Sequence, residues 1–288
     1  MNNYIIIILL SYVSVFAQEY EWGYRFKVGQ AMRFKVDNSV YMPGTPVFVE
    51  QGLLELSVLN VAKNGDITFL LKEGNQTNPI EPMTIGSEHG KSVSIRHTTV
   101  LDGSEATITM TRYGEFVTGV FSKPSKQLEE ERALRAKATT AEGKKFVSEY
   151  SDLPMLNNAL RYYFPLLKKT KTISVNDVWV DSTAKLIDVI VIQNGVVVND
   201  TAKQLQYQVT RYIVKSDTTI QGETFLLVEQ HFKLQQPISK QGVFIQEGDG
   251  EVIIKKSDGT IVKKVLDCDS RRNGVFESKL NMYQKLLK

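Results

Sequence analysis

The chain has 288 residues, of which 42% are hydrophobic and 23% charged, and its formal net charge is +3. These proportions are typical of a globular protein. The small, mixed charge gives no reason to expect nucleic acid as a partner. Cys268 is the only cysteine, which excludes an intrachain disulfide. Because Val265 and Leu266 lie close to it, we expect a buried and unreactive thiol.

Residues 1–17 have the pattern of a cleavable signal peptide. The segment has no charged side chain, contains the aliphatic run Ile5–Leu10, and gives way to polar sequence at Gln18. The run is shorter than the roughly 20 apolar residues of a membrane-spanning helix. An uncleaved anchor and a buried strand are the alternatives. We therefore predict an exported bacterial protein of the periplasm or cell exterior, with no transmembrane segment in the mature chain.

Most of the remaining sequence predicts β-strands. Apolar and polar residues alternate in four clear segments, which are Met32–Val36, Leu54–Val58, Ala106–Met110 and Leu205–Val209. Alternation with one wetter face is typical of antiparallel sheets. Asn64-Gly65 and Asp258-Gly259 lie between such runs and predict hairpin turns.

Two helices are expected in the middle of the chain. Ser125–Lys145 is rich in helix-forming residues but has a thin apolar stripe. A clearer helix spans Pro154–Phe164, with Ser151 or Asp152 as its cap and Pro165 as its stop. Its apolar face consists of Leu156, Leu160, Tyr163 and Phe164.

The predicted fold is mainly β, with antiparallel sheets that form two similar β-meander halves or half-barrels around a helical segment. The corresponding division is a signal peptide at 1–17, an N-terminal β region at 18–122, a helical connector at 123–172 and a C-terminal β region at 173–288. The similarity between the two β regions is weak, and chance is an equally good explanation for it.

A search for catalytic chemistry finds no catalytic residue, metal site or cofactor motif. His89, His97 and His231 have no ligand-like neighbours in the sequence. Asp267–Gly274 resembles a calcium loop, but Arg271 stands where a ligand is needed, so we interpret it as a polar turn after the last strand. Gly86–Gly90 lacks the order of a nucleophile motif.

One aromatic and apolar cluster is a candidate ligand-binding site. Its members are Leu160, Tyr163, Phe164 and Trp179. Aromatic side chains with polar tips suit the mouth of a cavity. The alternative, which we favour, is that they dock the helix onto a sheet.

Short motifs resemble those of uncharacterised secreted β-rich proteins of Bacteroidota. They are Ala17-Gln18, Val28–Gln30, Tyr163–Pro165 and Val175–Trp179, where Asn176 replaces the glycine usual in that group. The group has no assigned activity to carry over. The plan also distantly resembles envelope lipid and lipoprotein carriers, in which helices plug a curved antiparallel half-barrel. That likeness concerns the fold and says little about function.

Three functional hypotheses follow. The first is a non-enzymatic envelope protein that binds a ligand or partner, including an apolar or lipid-like molecule held between sheet and helices. The second is a structural or cell-surface interaction module, which would show an exposed apolar patch or an open sheet edge. The third is a hydrolase with a site that the sequence does not reveal.

Overall fold

The computed structural model describes residues 22–44, 48–75, 84–85, 93–94, 103–124, 129, 152–193, 196–237 and 242–287. The first seven strands in this part of the chain are β1 (Ala31–Tyr41), β2 (Phe48–Val61), β3 (Ile67–Asn75), β4 (Thr84–Ile85), β5 (Val93–Ser94), β6 (Glu105–Met110) and β7 (Phe116–Lys123). Helix α1 (Asp152–Tyr163) follows. The remaining strands are β8 (Val178–Gln193), β9 (Val196–Ile220), β10 (Glu223–Pro237), β11 (Val243–Lys255), β12 (Ile261–Arg272) and β13 (Val275–Leu287).

Eleven of these strands form one antiparallel sheet, in the order β7-β6-β3-β2-β1-β13-β12-β11-β10-β9-β8, and β4 pairs with β5. The prediction of a mainly β, antiparallel fold with a helix between strands is confirmed. The two strand-rich regions are joined because the first strand pairs with the last, with Val36 opposite Gln284. They therefore contribute to one continuous sheet.

The sheet carries its core on one face, which we call the inner face. The predicted alternations in β1, β2 and β6 are confirmed, because one set of residues in each strand is almost fully buried. The buried sets are Met32, Phe34 and Val36 in β1, Leu54, Leu56 and Val58 in β2, and Ala106, Ile108 and Met110 in β6.

Strand β9 departs from the simple expectation that its apolar set faces the core. Tyr212 and Val214 are buried on the inner face, so a two-residue period also puts Thr210 there. The apolar Leu205 belongs to the opposite set and is 52% exposed. The buried residues in the C-terminal half of β9 thus fix the orientation of the whole strand. Toward its N-terminal end, polar residues such as Gln208 therefore point inward.

Helix α1 begins at Asp152 and ends at Tyr163, close to the prediction. Leu156, Leu160, Tyr163 and Phe164 are all buried, as their spacing predicts. Pro165 follows, and it cannot continue the backbone hydrogen bonding of a helix. Except for residue 129, the other predicted helix, Ser125–Lys145, lies outside the described residues.

The expected polar turn at Asp267–Gly274 is wrong. Residues up to Arg272 belong to β12, and Asn273-Gly274 forms a tight turn with φ of 50° and 81°. A further strand, β13, then lies in the middle of the sheet between β12 and β1. Asn-Gly is a strong hairpin signal, but the polar residues before it concealed the end of β12.

Contacts at α1 show that the sheet is strongly curved. Strands β7 and β8 are its two edges, ten strand spacings apart, which is about 48 Å on a flat sheet. Yet Leu156 packs against Gly119 of β7, and Arg161 of the same helix bonds Asp181 of β8 at 2.8 Å. An α-helix rises only about 7.5 Å over five residues, so the sheet curls around α1.

The segment before β1 closes one end of this curl. The amide of Tyr24 donates to the carbonyl of Arg112 after β6, and the amide of Arg25 donates to the carbonyl of Asp258 after β11. Those two strands are six positions apart in the sheet, or about 29 Å when flat. Two consecutive residues can reach both only because the strands have been brought together.

Two glycines in β11 permit a close contact between the backbones of β11 and β12. A Cβ atom on Gly248 would lie 2.2 Å from the carbonyl oxygen of Asp267, and one on Gly250 would lie 2.2 Å from that of Val265. Glycine inside a strand often marks such close backbone approach. The paired region of β11 and β12 therefore depends on the absence of side chains at these positions.

We predict that Gly250→Ala lowers the free energy of unfolding by about 2–3 kcal/mol, because the new methyl group forces the two strands apart. Gly74→Ala is the matched control, since a Cβ there would meet only the carbonyl oxygen of Leu53, at 4.0 Å. Urea denaturation of both variants checks this. Equal effects of the two substitutions would contradict it.

Candidate functional site

The four residues predicted as ligand contacts come together beneath and beside α1. Leu160, Tyr163 and Phe164 are almost completely buried, and Trp179 is half-buried. The Trp179 ring stacks on Tyr212 with 5.0 Å between centroids, and its Nε1 donates to the carbonyl of Leu166 at 2.8 Å. All four therefore take part in docking the helix and the segment after it. A role in ligand contact stays a prediction.

Polar contacts fix the last turn of α1 to strands on both sides. Arg161 pairs with Asp181 of β8 at 2.8 Å. The Tyr163 hydroxyl donates to the buried Glu73 carboxylate of β3 at 2.8 Å. Between them, the Tyr162 hydroxyl donates to Oδ1 of Asn38 at 2.6 Å. These partners were missed from sequence, because each is remote along the chain.

Past Val36, Val252 and Val228, the inner face continues as a set of buried and half-buried residues that we call the trough. It consists of Asn38 and Val40 of β1, Thr210 and Gln208 of β9, Gln230, Phe232 and Leu234 of β10, Gln246, Gly248 and Gly250 of β11, Leu266, Cys268 and Ser270 of β12, and Leu280 and Met282 of β13. Register places these residues on the same face as the buried Val36, Val252 and Val228. The trough combines apolar side chains with amides and hydroxyls, and none of its residues carries a charge at neutral pH.

The outer face of the same strands is charged. Lys215 pairs with Glu229 at 2.6 Å across β9 and β10. His231, the one predicted surface histidine that the structure describes, has Nδ1 2.6 Å from Asp249 and Nε2 3.3 Å from Glu229. His89 and His97 lie outside the described residues. The two faces of β9–β13 thus differ sharply in charge.

One row of cross-strand neighbours at the boundary between core and trough is unusual. It runs from β1 to β9 through Val36, Gln284, Lys264, Val252, Val228 and Val214. The four valines are at most 2% exposed. Lys264 and Gln284 are equally inaccessible, at 5% and 0%. Two polar side chains thus interrupt an otherwise aliphatic row.

Lys264 is buried without a counter-ion among the described residues. Its Nζ donates to the carbonyl of Tyr162 at 2.6 Å, which lies in the last turn of α1, where carbonyl groups lack helical partners. An ammonium has three donors, so this bond uses only one of them. Burial lowers the pKa of Lys264 to about 8, because the charged form loses its hydration.

Gln284 stands directly opposite Lys264 in the β12–β13 pair. Within the part of the chain that the structure describes, neither Nε2 nor Oε1 of this fully buried amide has a hydrogen-bond partner. Leaving a buried polar group unsatisfied costs about 1–3 kcal/mol. The Lys264–Gln284 pair therefore destabilises the unliganded protein and contains hydrogen-bonding groups without partners.

Cys268 of β12 is buried, as its sequence context predicts. Burial, reinforced by the neighbouring Asp267, raises the pKa of its thiol to about 12. A thiol in this state is a poor nucleophile. Within the described ranges, no cluster of three His, Cys, Asp or Glu side chains is arranged to hold a metal ion. The helices described there include none with the length and apolar character needed to cross a membrane.

Comparison with known proteins gives little further information. No known protein family and no curated protein matches the chain. Among solved structures, a Bacteroides fragilis protein described as exported and as having a YmcC-like fold matches with 9% sequence identity and a TM-score of 0.27, over 93% of this chain and 100% of that one. Similarity at this level does not support conclusions about function.

We predict that Lys264→Met stabilises the unliganded protein by about 1–3 kcal/mol at pH 7, because removing an unpaired buried charge outweighs the lost bond to Tyr162. The control is Lys263→Met on the outer face, where the ammonium lies over the Tyr283 ring.

The gain from Lys264→Met should depend on pH with a definite sign. The folded-state pKa of about 8 lies below the roughly 10.4 of an unfolded chain. Between these values the unfolded state binds more protons, so wild-type stability gains from this residue as pH rises. Urea denaturation should therefore show the advantage of Lys264→Met shrinking between pH 7.5 and 9.5. An advantage that grows with pH would contradict the assignment.

Proposed function

We propose that the protein is an exported bacterial binding protein that holds an apolar or amphiphilic ligand in the trough, beside the C-terminal end of α1. One observation carries this proposal. Strands β9–β13 continue past the row of buried valines, and the buried and half-buried trough residues on their inner faces carry no charge, while their outer faces carry cross-strand ion pairs.

The composition of the trough supports a ligand with an apolar body. Small-molecule sites are concave and mainly apolar, with a few polar groups that fix orientation. Phe232, Leu234 and Leu280 are half-buried, and amides and hydroxyls such as Gln246 and Ser270 alternate with them across the strands. Curvature around α1 makes this surface concave, so it would enclose a ligand on several sides.

Export is supported by the signal-peptide pattern of residues 1–17. N-terminal sequencing of protein isolated from its own host tests this part of the proposal. A chain that begins at Gln18 would support export. A mature chain that retains Met1 would contradict cleavage.

Ligand binding is tested with N-phenyl-1-naphthylamine, a neutral probe whose fluorescence rises in apolar surroundings. We expect saturable binding to the full chain, and we expect Leu234→Asp to weaken it at least tenfold, because a carboxylate in the trough must be desolvated. Ile245→Asp is the matched control, since Ile245 is also half-buried but lies on the outer face of neighbouring β11. No saturable binding to the folded wild-type protein would overturn the proposal, as would equal losses in the two variants.

A second candidate function, self-association at the cell surface, is favoured by the β8 edge. Beyond the pair Tyr207–Gln235, β9 no longer pairs with β10, so β8 and the start of β9 continue as a two-stranded ribbon. Leu186 and Leu205 face each other across it and are 67% and 52% exposed. Exposed apolar residues on an edge strand favour pairing with another chain.

The occupant that fits this edge is a second copy of the chain. Antiparallel pairing of two β8 strands centred on Leu186 brings the exposed Leu186 side chains of the two copies together, and such a contact is two-fold symmetric. We predict a dimer in light scattering after size exclusion, and monomers for Leu186→Lys. Leu59→Lys, at an exposed leucine of β2 in the sheet interior, is the control. If the wild-type protein is monomeric at about 50 µM, this candidate function is excluded.

A further inference from the structure

We propose that Lys264 and Gln284 form a binding subsite for a carboxylate, the head group of an amphiphilic ligand whose apolar part lies in the trough. This inference rests on the proposed function and makes it more specific. It assigns the ligand's chemical class and the two side chains that recognise its head.

The hydrogen-bonding capacity of the pair matches a carboxylate. Lys264 uses one of its three donors on the carbonyl of Tyr162, which leaves two. One of these can serve Oε1 of Gln284, and the other can serve a carboxylate oxygen. Nε2 of Gln284 can donate to the second oxygen, since neither amide atom has a partner among the described residues. Every polar atom of the pair is then satisfied.

Distances within the sheet allow this arrangement. Lys264 and Gln284 are direct partners in neighbouring antiparallel strands, so their Cβ atoms are about 5 Å apart on one face. Both side chains are long enough for their polar ends to approach each other over that gap, so that one carboxylate could contact both.

Charge favours an anion at this position. Within the described residues, no carboxylate forms an ion pair with Lys264, and the inner-face residues that surround it in the sheet, Val36, Val252, Leu266 and Met282, are all neutral. A carboxylate ligand would supply the missing counter-charge in a site of low polarity, where charge-assisted hydrogen bonds are strong. It would also hold Lys264 in its protonated form.

The position of the pair explains why an amphiphile fits better than a free anion. The next row of the inner face begins the trough with Asn38, Met282 and Leu266. A ligand whose head lies at Lys264 can therefore extend its chain over apolar trough residues such as Leu280 and Phe232. Acetate would make only the head contacts.

A purely structural role for Lys264 is the competing explanation. A cation near a helix C-terminus interacts favourably with the helix dipole, and the bond to Tyr162 is such a contact. This role explains one donor of Lys264. It does not explain why the amide of Gln284 is buried with no hydrogen-bond partner among the described residues. Ligand specificity separates the two explanations, because capping a helix confers no preference among ligands.

The experiment compares four ligands, namely decanoate, decanol, decyltrimethylammonium and acetate, by displacement of N-phenyl-1-naphthylamine and by calorimetry at pH 7. We expect decanoate to bind the wild-type chain at least tenfold more tightly than decanol, and decyltrimethylammonium to bind more weakly than decanol. Lys264→Met and Gln284→Met should each bring the decanoate-to-decanol ratio close to one and leave decanol affinity unchanged. Lys263→Met, on the outer face, should keep the wild-type ratio.

The possible failures are distinguishable. Probe and decanol binding without a preference for decanoate would overturn the carboxylate subsite and leave the proposed function intact. A preference that persists in Lys264→Met would assign Lys264 to helix capping alone. Acetate that binds as tightly as decanoate would overturn the amphiphilic ligand. Absence of binding by the probe and all four ligands would overturn both proposals.

Discussion

Curvature of the sheet around α1 is the constraint on which the rest of the structure depends. An open sheet of eleven strands would expose most of one apolar face. Here β7 and β8 are the opposite edges of the sheet, and α1, which lies between them in the sequence, packs on the inner face. The helix is covered on several sides because the sheet folds around it, and the amides of Tyr24 and Arg25 hold two distant hairpins together at one end.

That constraint also explains the polar character of the last turn of α1. A helix whose end meets strands from three parts of the sheet cannot bury every neighbour in apolar contact. Three consecutive residues, Arg161, Tyr162 and Tyr163, each donate a hydrogen bond to a side chain on a different strand. Directional hydrogen bonds fix the position of the helix more narrowly than apolar packing alone, which tolerates repacking. The boundary between core and trough is therefore well defined at this end.

Sequence patterns predicted much of the fold and little of the candidate site, for physical reasons. Alternation in Met32–Val36 reports which side of one strand is apolar, and the Pro154–Phe164 face reports one helix surface. Neither reports which strands become neighbours. Lys264 follows another lysine, so the sequence does not indicate which of the two side chains points inward. A register shift between Ile253 and Ile254 sets the alternation of β12 and directs Lys264 to the inner face. Gln284 lies in β13, where apolar and polar residues are mixed, and the sequence pattern there does not indicate that this side chain is buried. Besides the Asn273-Gly274 turn, the glycines within β11 were an overlooked local signal, since Gly248 and Gly250 in a strand imply close backbone approach.

The energetic sign of the buried pair separates a structural role from a binding role. Residues that hold a fold together lower its free energy in the absence of any ligand, as the valines beside Lys264 and Gln284 do. This pair raises the free energy of the unliganded fold. Among the described residues the ammonium has no counter-ion and the amide no hydrogen-bond partner, so burying both groups costs free energy. Local conflicts of this kind concentrate at functional sites, where stability is given up for recognition. A ligand that supplies an anion and two acceptors would reverse the sign, and binding would then be coupled to stability at the position where the helix, the core and the trough meet.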